Sequence, residues 1–371
     1  RDVAPSRGLG DVYKRQVLIL TDGYNIHHLS GYRGHTGMLV AFQGEQYILT
    51  DSRYTEQVEL EAPEFTCVDI GREGYSKTIA AMVQKAFAKE GRSTLRIGFE
   101  NKEISYMQYQ AFVDTFAKEL TGMQVEFVPL EDAVNVYREV KTEDEIAKLA
   151  RAEQIGDEAF TEIVKFIHEN WKDGLTEQRV ALQLEYEMRL RGAEGTSFDT
   201  IAASGSNSSL PHAMPQPKLL TEGDFLTMDF GCMYQGYCSD MTRTIHIGEV
   251  VESEQKKVYD TVLQAQLAAL SVVKPGMVCS DVDKCARDII ADAGYGDYFG
   301  HGLGHSVGLF IHEEPRFSMK CDAVLKPGVV ITVEPGIYLP GRFGVRIEDM
   351  IVVTEDGYQN LASSPKELIC V

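Results

Sequence analysis

The sequence predicts an α/β domain followed by an α+β domain, and three observations carry that expectation. The chain has 371 residues, too many for one ordinary hydrophobic core and about right for two. Up to Pro129, short β-rich runs alternate with helical patterns, the signature of layered α/β structure with a mixed or parallel sheet. Beyond Thr142, long amphipathic helices and runs of antiparallel strands replace that alternation.

Taken in order, the first sixteen residues, RDVAPSRGLGDVYKRQ, lack an initiator Met and show no clear periodicity. They resemble translated sequencing-adapter sequence, and residues 1–16 are set aside as a non-native scar. Residues 17–130 form the first domain. Its strands are read at VLIL, GMLVAF, QYILT, TCVDI, LRIGF and VEFVPL, with helices over Tyr75 to Lys89 and Glu103 to Leu120. Residues 131–141 are polar and charged and read as a linker, leaving 142–371 as the second domain. Thr142 with Glu145 makes a capping-box pattern that opens a helix reaching about Asn170, and a second runs from about Thr176 to Arg191. Strands near Phe225 to Cys232 and Tyr237 to Ile247 follow, then helices over Ser253 to Val273 and Ser280 to Ala293. Strands over Val329 to Glu334 and Val345 to Val353 close the reading. No internal repeat or low-complexity tract interrupts it.

Composition narrows the function. With 44% hydrophobic and 25% charged residues the chain can bury a core, and its net charge of −20 repels phosphate backbones and anionic lipid heads. Nucleic acid and membranes are therefore poor partners, and no apolar run reaches the roughly 20 residues that span a bilayer. The seven cysteines include no Cys-x-x-Cys pair, so they read as reduced thiols and the location as cytoplasmic.

Two pairs of acids sit in apolar strand sequence, where a solvated carboxylate is out of place. Asp229 and Asp240 flank the turn Met233-Tyr234-Gln235-Gly236 symmetrically. Pairing about that centre would set them directly opposite, on one face, where like charges are costly unless a cation lies between them. A one-residue slip would part them. Glu334 and Glu348 lie symmetrically about Gly341, and the Pro335-Gly336 pair predicts a bulge or irregular turn in that hairpin.

Histidines gather in FGHGLGHSVGLFIHEEP, which holds His301, His305 and His312. Four glycines in that run argue against a helix and for a loop entering a strand with close backbone approach. His212 lies in the loop SLPHAMP. His27, His28, His35, His168 and His246 read as structural or surface groups. Four carboxylates and an imidazole make a hard ligand set for two divalent ions, Mn²⁺, Co²⁺ or Fe²⁺ before Zn²⁺. Two such ions can hold a bridging hydroxide, a nucleophile at neutral pH, so the reaction class is hydrolysis of a polarised carbonyl or phosphoryl group.

These motifs, MDFG, SDMTRT, GHGLGH, TVEPGIY and RIED, resemble in order the five-ligand signature of the pita-bread metallopeptidases. His212, His312 and Arg346, with NIHHLSGYRGH and LTDSRYTEQ near the N-terminal end, resemble the aminopeptidase P and prolidase branch with its creatinase-like domain. The resemblance implies an α/β N-terminal domain plus an α+β pita-bread catalytic domain. It implies that Asp229 chelates one ion, that Asp240 and Glu348 bridge two, and that His305 and Glu334 hold the second, with Glu334 also the general base. It implies that His212 and His312 contact the substrate amide, that His301 lies near the proline pocket, and that Arg346 orients a carboxylate or pocket wall. The expected activity is a manganese-dependent Xaa-Pro aminopeptidase acting on proline-containing peptides, or else an Xaa-Pro dipeptidase, working as a homodimer. A helix ahead of the first strand is also implied, in the place the first sixteen residues occupy.

Overall fold

A computed structural model describes residues 16–90, 92–249 and 251–371. Of the segment read as foreign, only Gln16 falls among these; its backbone N–H donates to the Arg96 carbonyl at 3.0 Å. The helix implied ahead of the first strand lies outside the described residues. The chain divides into two compact units between Arg138 and Glu139.

The first unit is built on strands β1 (Val17–Leu20), β2 (Met38–Phe42), β3 (Glu45–Thr50), β4 (Thr66–Asp69), β5 (Thr94–Phe99) and β6 (Gln124–Pro129), in the sheet order β4-β3-β2-β1-β5-β6. Pairing is mixed: β1 runs antiparallel to β2 and parallel to β5. The unbroken apolar run VLIL is explained by burial on both faces. Val17 and Ile19 pack with helices α3 (Gly74–Phe87) and α4 (Tyr106–Glu119), while Leu18 and Leu20 pack with α1 (Gly23–Ser30) and α2 (Thr55–Glu61). Both of those last helices escape periodicity because they are short, at 8 and 7 residues. Arg138, read as part of a polar linker, is instead buried, its guanidinium donating to Asn25 at 3.0 Å.

The second unit opens with α5 (Glu143–Asn170), whose capping box forms as read: Glu145 N–H donates to Thr142 Oγ1 at 3.3 Å and Thr142 N–H to Glu145 Oε2 at 2.8 Å. Its apolar stripe, with Ala152, Ala159 and Ile163, packs with α6 (Glu177–Leu190) over a sheet ordered β12-β9-β8. Those strands are β8 (Ile201–Ser204), β9 (Phe225–Phe230) and β12 (Met241–His246), the short strand β7 (Gly195–Thr196) lying before them. Between β9 and β12 the chain forms β10 (Cys232–Tyr234) and β11 (Tyr237–Cys238). Helices α7 (Ser253–Val272) and α8 (Cys279–Asp292) pack on a second core. Strands β14 (Glu313–Phe317), β15 (Val330–Val333) and β18 (Asp349–Val353) contribute to that core, and with β13 (Gly304–Ser306) and β19 (Tyr358–Asn360) they form a sheet ordered β14-β13-β15-β18-β19. The pair β16 (Gly336–Leu339) and β17 (Phe343–Arg346) stands apart as a two-stranded ribbon. No helix among the described residues is long and apolar enough to cross a membrane.

Candidate metal centre

Asp229 does not face Asp240. It pairs with Thr242, and the same register continues through Met233 with Cys238 and Tyr234 with Tyr237. The turn therefore centres on Gln235-Gly236, one residue later than the symmetric reading. Gln235 and Gly236 have φ of 49° and 83°, the left-handed pair that a two-residue hairpin loop requires, and Gly236 supplies it without strain. Moving a turn centre by one residue moves the cross-strand partner by two, which preserves the face. Asp240 is thus a diagonal neighbour of Asp229, on the same side.

Glu334 and Glu348 do face each other. Val333 pairs with Asp349 in one sheet and Gly336 with Arg346 in the next, so both ladders share a register that sets the two acids opposite at the gap between them. Pro335 opens that gap because it has no N–H to give. A three-residue loop, Pro340 to Arg342, closes the ribbon, with Gly341 at φ 70°.

Thr242 locks the two hairpins together. Its carbonyl accepts the Glu348 N–H at 3.1 Å and its hydroxyl donates to Glu348 Oε2 at 2.6 Å. His305 arrives on β13, pinned by its N–H to Thr332 Oγ1 at 3.1 Å. Gly304 lets that strand approach, since a Cβ there would sit 2.0 Å from the Thr332 carbonyl oxygen. His305 Nδ1 lies 3.1 Å from the Ser306 carbonyl, which fixes Nδ1 as the donor and turns the bare Nε2 toward Asp240 at 3.4 Å and Glu334 at 3.6 Å.

Ligand atoms of Asp240, His305 and Glu348 lie within 4.8 Å of one another. Asp229 Oδ1 and Glu348 Oε1 are buried with no hydrogen-bond partner among the described residues. Burial pushes the Asp240 and Glu348 carboxyls well above the usual range, each further raised by neighbouring acids. Glu334 is pushed up to about 8, chiefly by burial and partly relieved by Arg346. His305 is pushed down to about 3 by burial and His312. Orphaned carboxylate oxygens beside a bare imidazole nitrogen fit divalent cations held by oxygen and nitrogen. Thiolates play no part: all seven cysteines are free, and none borders this cavity.

The cavity has a volume of about 540 Å³ and is bordered by all nine residues singled out in the sequence: His212, Asp229, Asp240, His301, His305, His312, Glu334, Arg346 and Glu348. Arg346 donates to Asp229 Oδ2 at 2.6 Å, the Tyr338 hydroxyl at 2.7 Å, Thr242 Oγ1 at 3.0 Å and the Pro211 carbonyl at 3.3 Å, tying the His212 loop to the acids. His301 Nε2 lies 2.9 Å from the Tyr338 hydroxyl, and burial with Arg346 nearby pushes its pKa down to about 4. The rings of His305 and His312 are 4.5 Å apart. His312 is lowered as well, by burial and then Arg316. In both rings burial disfavours the charged imidazolium.

Residues the sequence left unmarked also border the cavity, among them Phe198, Asp199, Ile201, Met214 and Arg316. Ile201 pairs directly with Asp229, a relation no motif carries. Behind the acids, Glu153 of α5 accepts the Asp240 N–H at 3.3 Å while wholly buried. Its position four residues from Asp157 on an otherwise apolar face was the available signal.

Metallopeptidase family M24 matches residues 147–355, and the creatinase/prolidase N-terminal domain matches residues 13–140. An Xaa-Pro dipeptidase from Pyrococcus horikoshii is 38% identical over 354 residues, covering 95% of this chain and 94% of its own. The solved structure of an Xaa-Pro dipeptidase from Bacillus anthracis superposes with a TM-score of 0.88 at 38% identity, covering 98% of each chain. That of an X-Pro aminopeptidase from Thermotoga maritima gives 0.86 at 35% identity, covering 99% of this chain and 100% of the other.

Proposed function

This chain belongs to metallopeptidase family M24, with a creatinase/prolidase N-terminal domain, and on that premise we propose that it hydrolyses the peptide bond between an N-terminal residue and a following proline. We read it as an Xaa-Pro aminopeptidase acting on peptides. The observation that carries the hydrolytic reading is the set of four convergent carboxylates and one bare imidazole nitrogen, two of whose oxygens have no protein partner. Asp229, Asp240, His305, Glu334 and Glu348 would hold two divalent cations, Mn²⁺ the first to test, which when bound supply Lewis acidity and an acidified water.

The chain's own groups then do the rest. Glu334 takes the proton of the attacking water at its carboxylate and returns it to the proline nitrogen as the bond breaks. His212 and His312, on the same cavity wall, donate to the substrate amide and to the oxygen on which charge develops. Arg346 holds the Asp229 carboxylate in place through its 2.6 Å contact. His301, kept neutral, shapes the proline side of the cavity with Tyr338.

A second reading, Xaa-Pro dipeptidase, is favoured by one observation. Arg316 borders the cavity with its side chain 47% exposed, where the free carboxylate of a dipeptide could meet it. The test is to compare Xaa-Pro with Xaa-Pro-Ala-Ala on manganese-loaded protein by mass spectrometry. Release from the tetrapeptide supports the aminopeptidase. Release from the dipeptide alone, with KM raised about tenfold by Arg316→Met, supports the dipeptidase. No release from either above a metal-free blank would sink both.

A further inference from the structure

We propose that Asp199 makes the enzyme favour a positively charged side chain on the residue preceding proline; this rests on the Xaa-Pro reading above. Asp199 borders the same cavity as the metal ligands but differs from them in being exposed. Among the described residues its carboxylate has neither a hydrogen bond nor an ion pair. Neither arginine of the cavity pairs with it: Arg346 bonds Asp229 at 2.6 Å and Arg316 bonds Glu314 at 3.0 Å. Of the five acids on the wall, four belong to the proposed ligand set, so Asp199 is the one left facing solvent and substrate.

Backbone pairing places it. Ile201 lies directly opposite Asp229, and Asp199 is two residues earlier in the chain, on the stretch that leads into β8. The floor of the cavity is made by the buried acids, and Asp199 stands above them at the rim. A substrate's α-amine is two bonds, about 2.5 Å, from its scissile carbonyl carbon, so it stays near the floor. A lysine or arginine side chain on that same residue extends away from the reacting bond and brings its charge to the rim. An unpaired carboxylate there, on the cavity wall that Phe198 and Ile201 also border, attracts that cation and repels an acidic side chain.

The experiment uses manganese-loaded full-length protein and three peptides of one length, carrying Lys, norleucine or Glu before proline. Norleucine keeps the lysine stem without its charge. The native protein is expected to rank Lys over norleucine over Glu in kcat/KM. Asp199→Asn is expected to lower the Lys-to-norleucine ratio by about fivefold, the upper range for an exposed ion pair, and Asp199→Lys to bring Glu above norleucine. The native Lys preference is expected to shrink as salt rises. Dissociation constants of the same peptides, measured by calorimetry, give the ratio independently of turnover. A Lys-to-norleucine ratio that is the same in native and Asp199→Asn protein, whether both rates hold or both fall, overturns the proposal. Absence of all cleavage with an intact binding preference overturns the hydrolytic reading alone.

Discussion

Arg346 Nη2 lies 2.6 Å from Asp229 Oδ2, and both side chains are nearly enclosed, at 4% and 14% exposure. The guanidinium also bonds Tyr338, Thr242 and the loop carbonyl of Pro211, so it joins an acid to the wall that carries His212. Breaking one side of a buried pair leaves the other charge uncompensated, which costs about 3 to 5 kcal/mol. Arg346→Met should lower stability by that order in denaturant melts and depress kcat/KM at least tenfold. An unchanged melt would remove the pair from the stability account.

Stability without metal should depend on pH in a direction the buried groups fix. Glu334 titrates near 8 in the fold against an ordinary value of 4.5, so the folded state holds a proton the unfolded state has lost. Its contribution is present below 4.5 and is lost as pH rises toward 8. His305 near 3 and His301 near 4 act oppositely, their contribution being present above 6.5 and lost as pH falls. Between 6.5 and 8 only the carboxyl effect remains, and the melting temperature in chelator should fall. Saturating Mn²⁺ should flatten or reverse that slope, because binding displaces protons. A chelated protein whose melting temperature climbs across that interval contradicts the assignment.

Metal should be a stability ligand as well as a reagent. At a free concentration about 100 times its dissociation constant, a divalent cation adds about 2.7 kcal/mol. Glu348→Gln keeps the shape and can still meet Thr242, yet removes a charge from the group formed with Asp240 and His305. We expect metal affinity to fall by more than about a hundredfold with little effect on the chelated protein's melt. Equal Mn²⁺ stoichiometry in both proteins would count against the ligand set.

Gly304 is a packing requirement rather than a turn. An added methyl would lie 2.0 Å from the Thr332 carbonyl oxygen, so β13 must retreat from β15 and carry His305 with it. Gly304→Ala should cost about 1 to 3 kcal/mol and weaken metal binding more than a methyl elsewhere on the strand. Calorimetric titration with Mn²⁺ checks the second effect.

Much of the fold and most of the cavity were legible from the sequence because their signals are local. VLIL, the Thr142 and Glu145 cap, and the acids within apolar strands each state their surroundings in a few residues. What escaped depends on partners distant in the chain. The Asp229 register turned on which two residues of a four-residue turn adopt positive φ, and Gly236 decided it. Ile201, Asp199 and Arg316 carry no motif and reach the cavity only because β8 pairs with β9 and β14 with β13. Arg138 lies in a stretch that reads only as polar and charged, and the fold alone reveals Asn25 as its partner.

The Glu334 and Glu348 partnership survives across two ladders because each step toward the tip adds one residue to either side. Extra residues inserted at Pro340 to Arg342 would leave that spacing intact, whereas one inserted beside Pro335 would slide one acid past the other. Descendant sequences can remodel the outer loop while the chemistry beneath it stays fixed, so the same ribbon divides what inheritance is free to vary from what it must preserve.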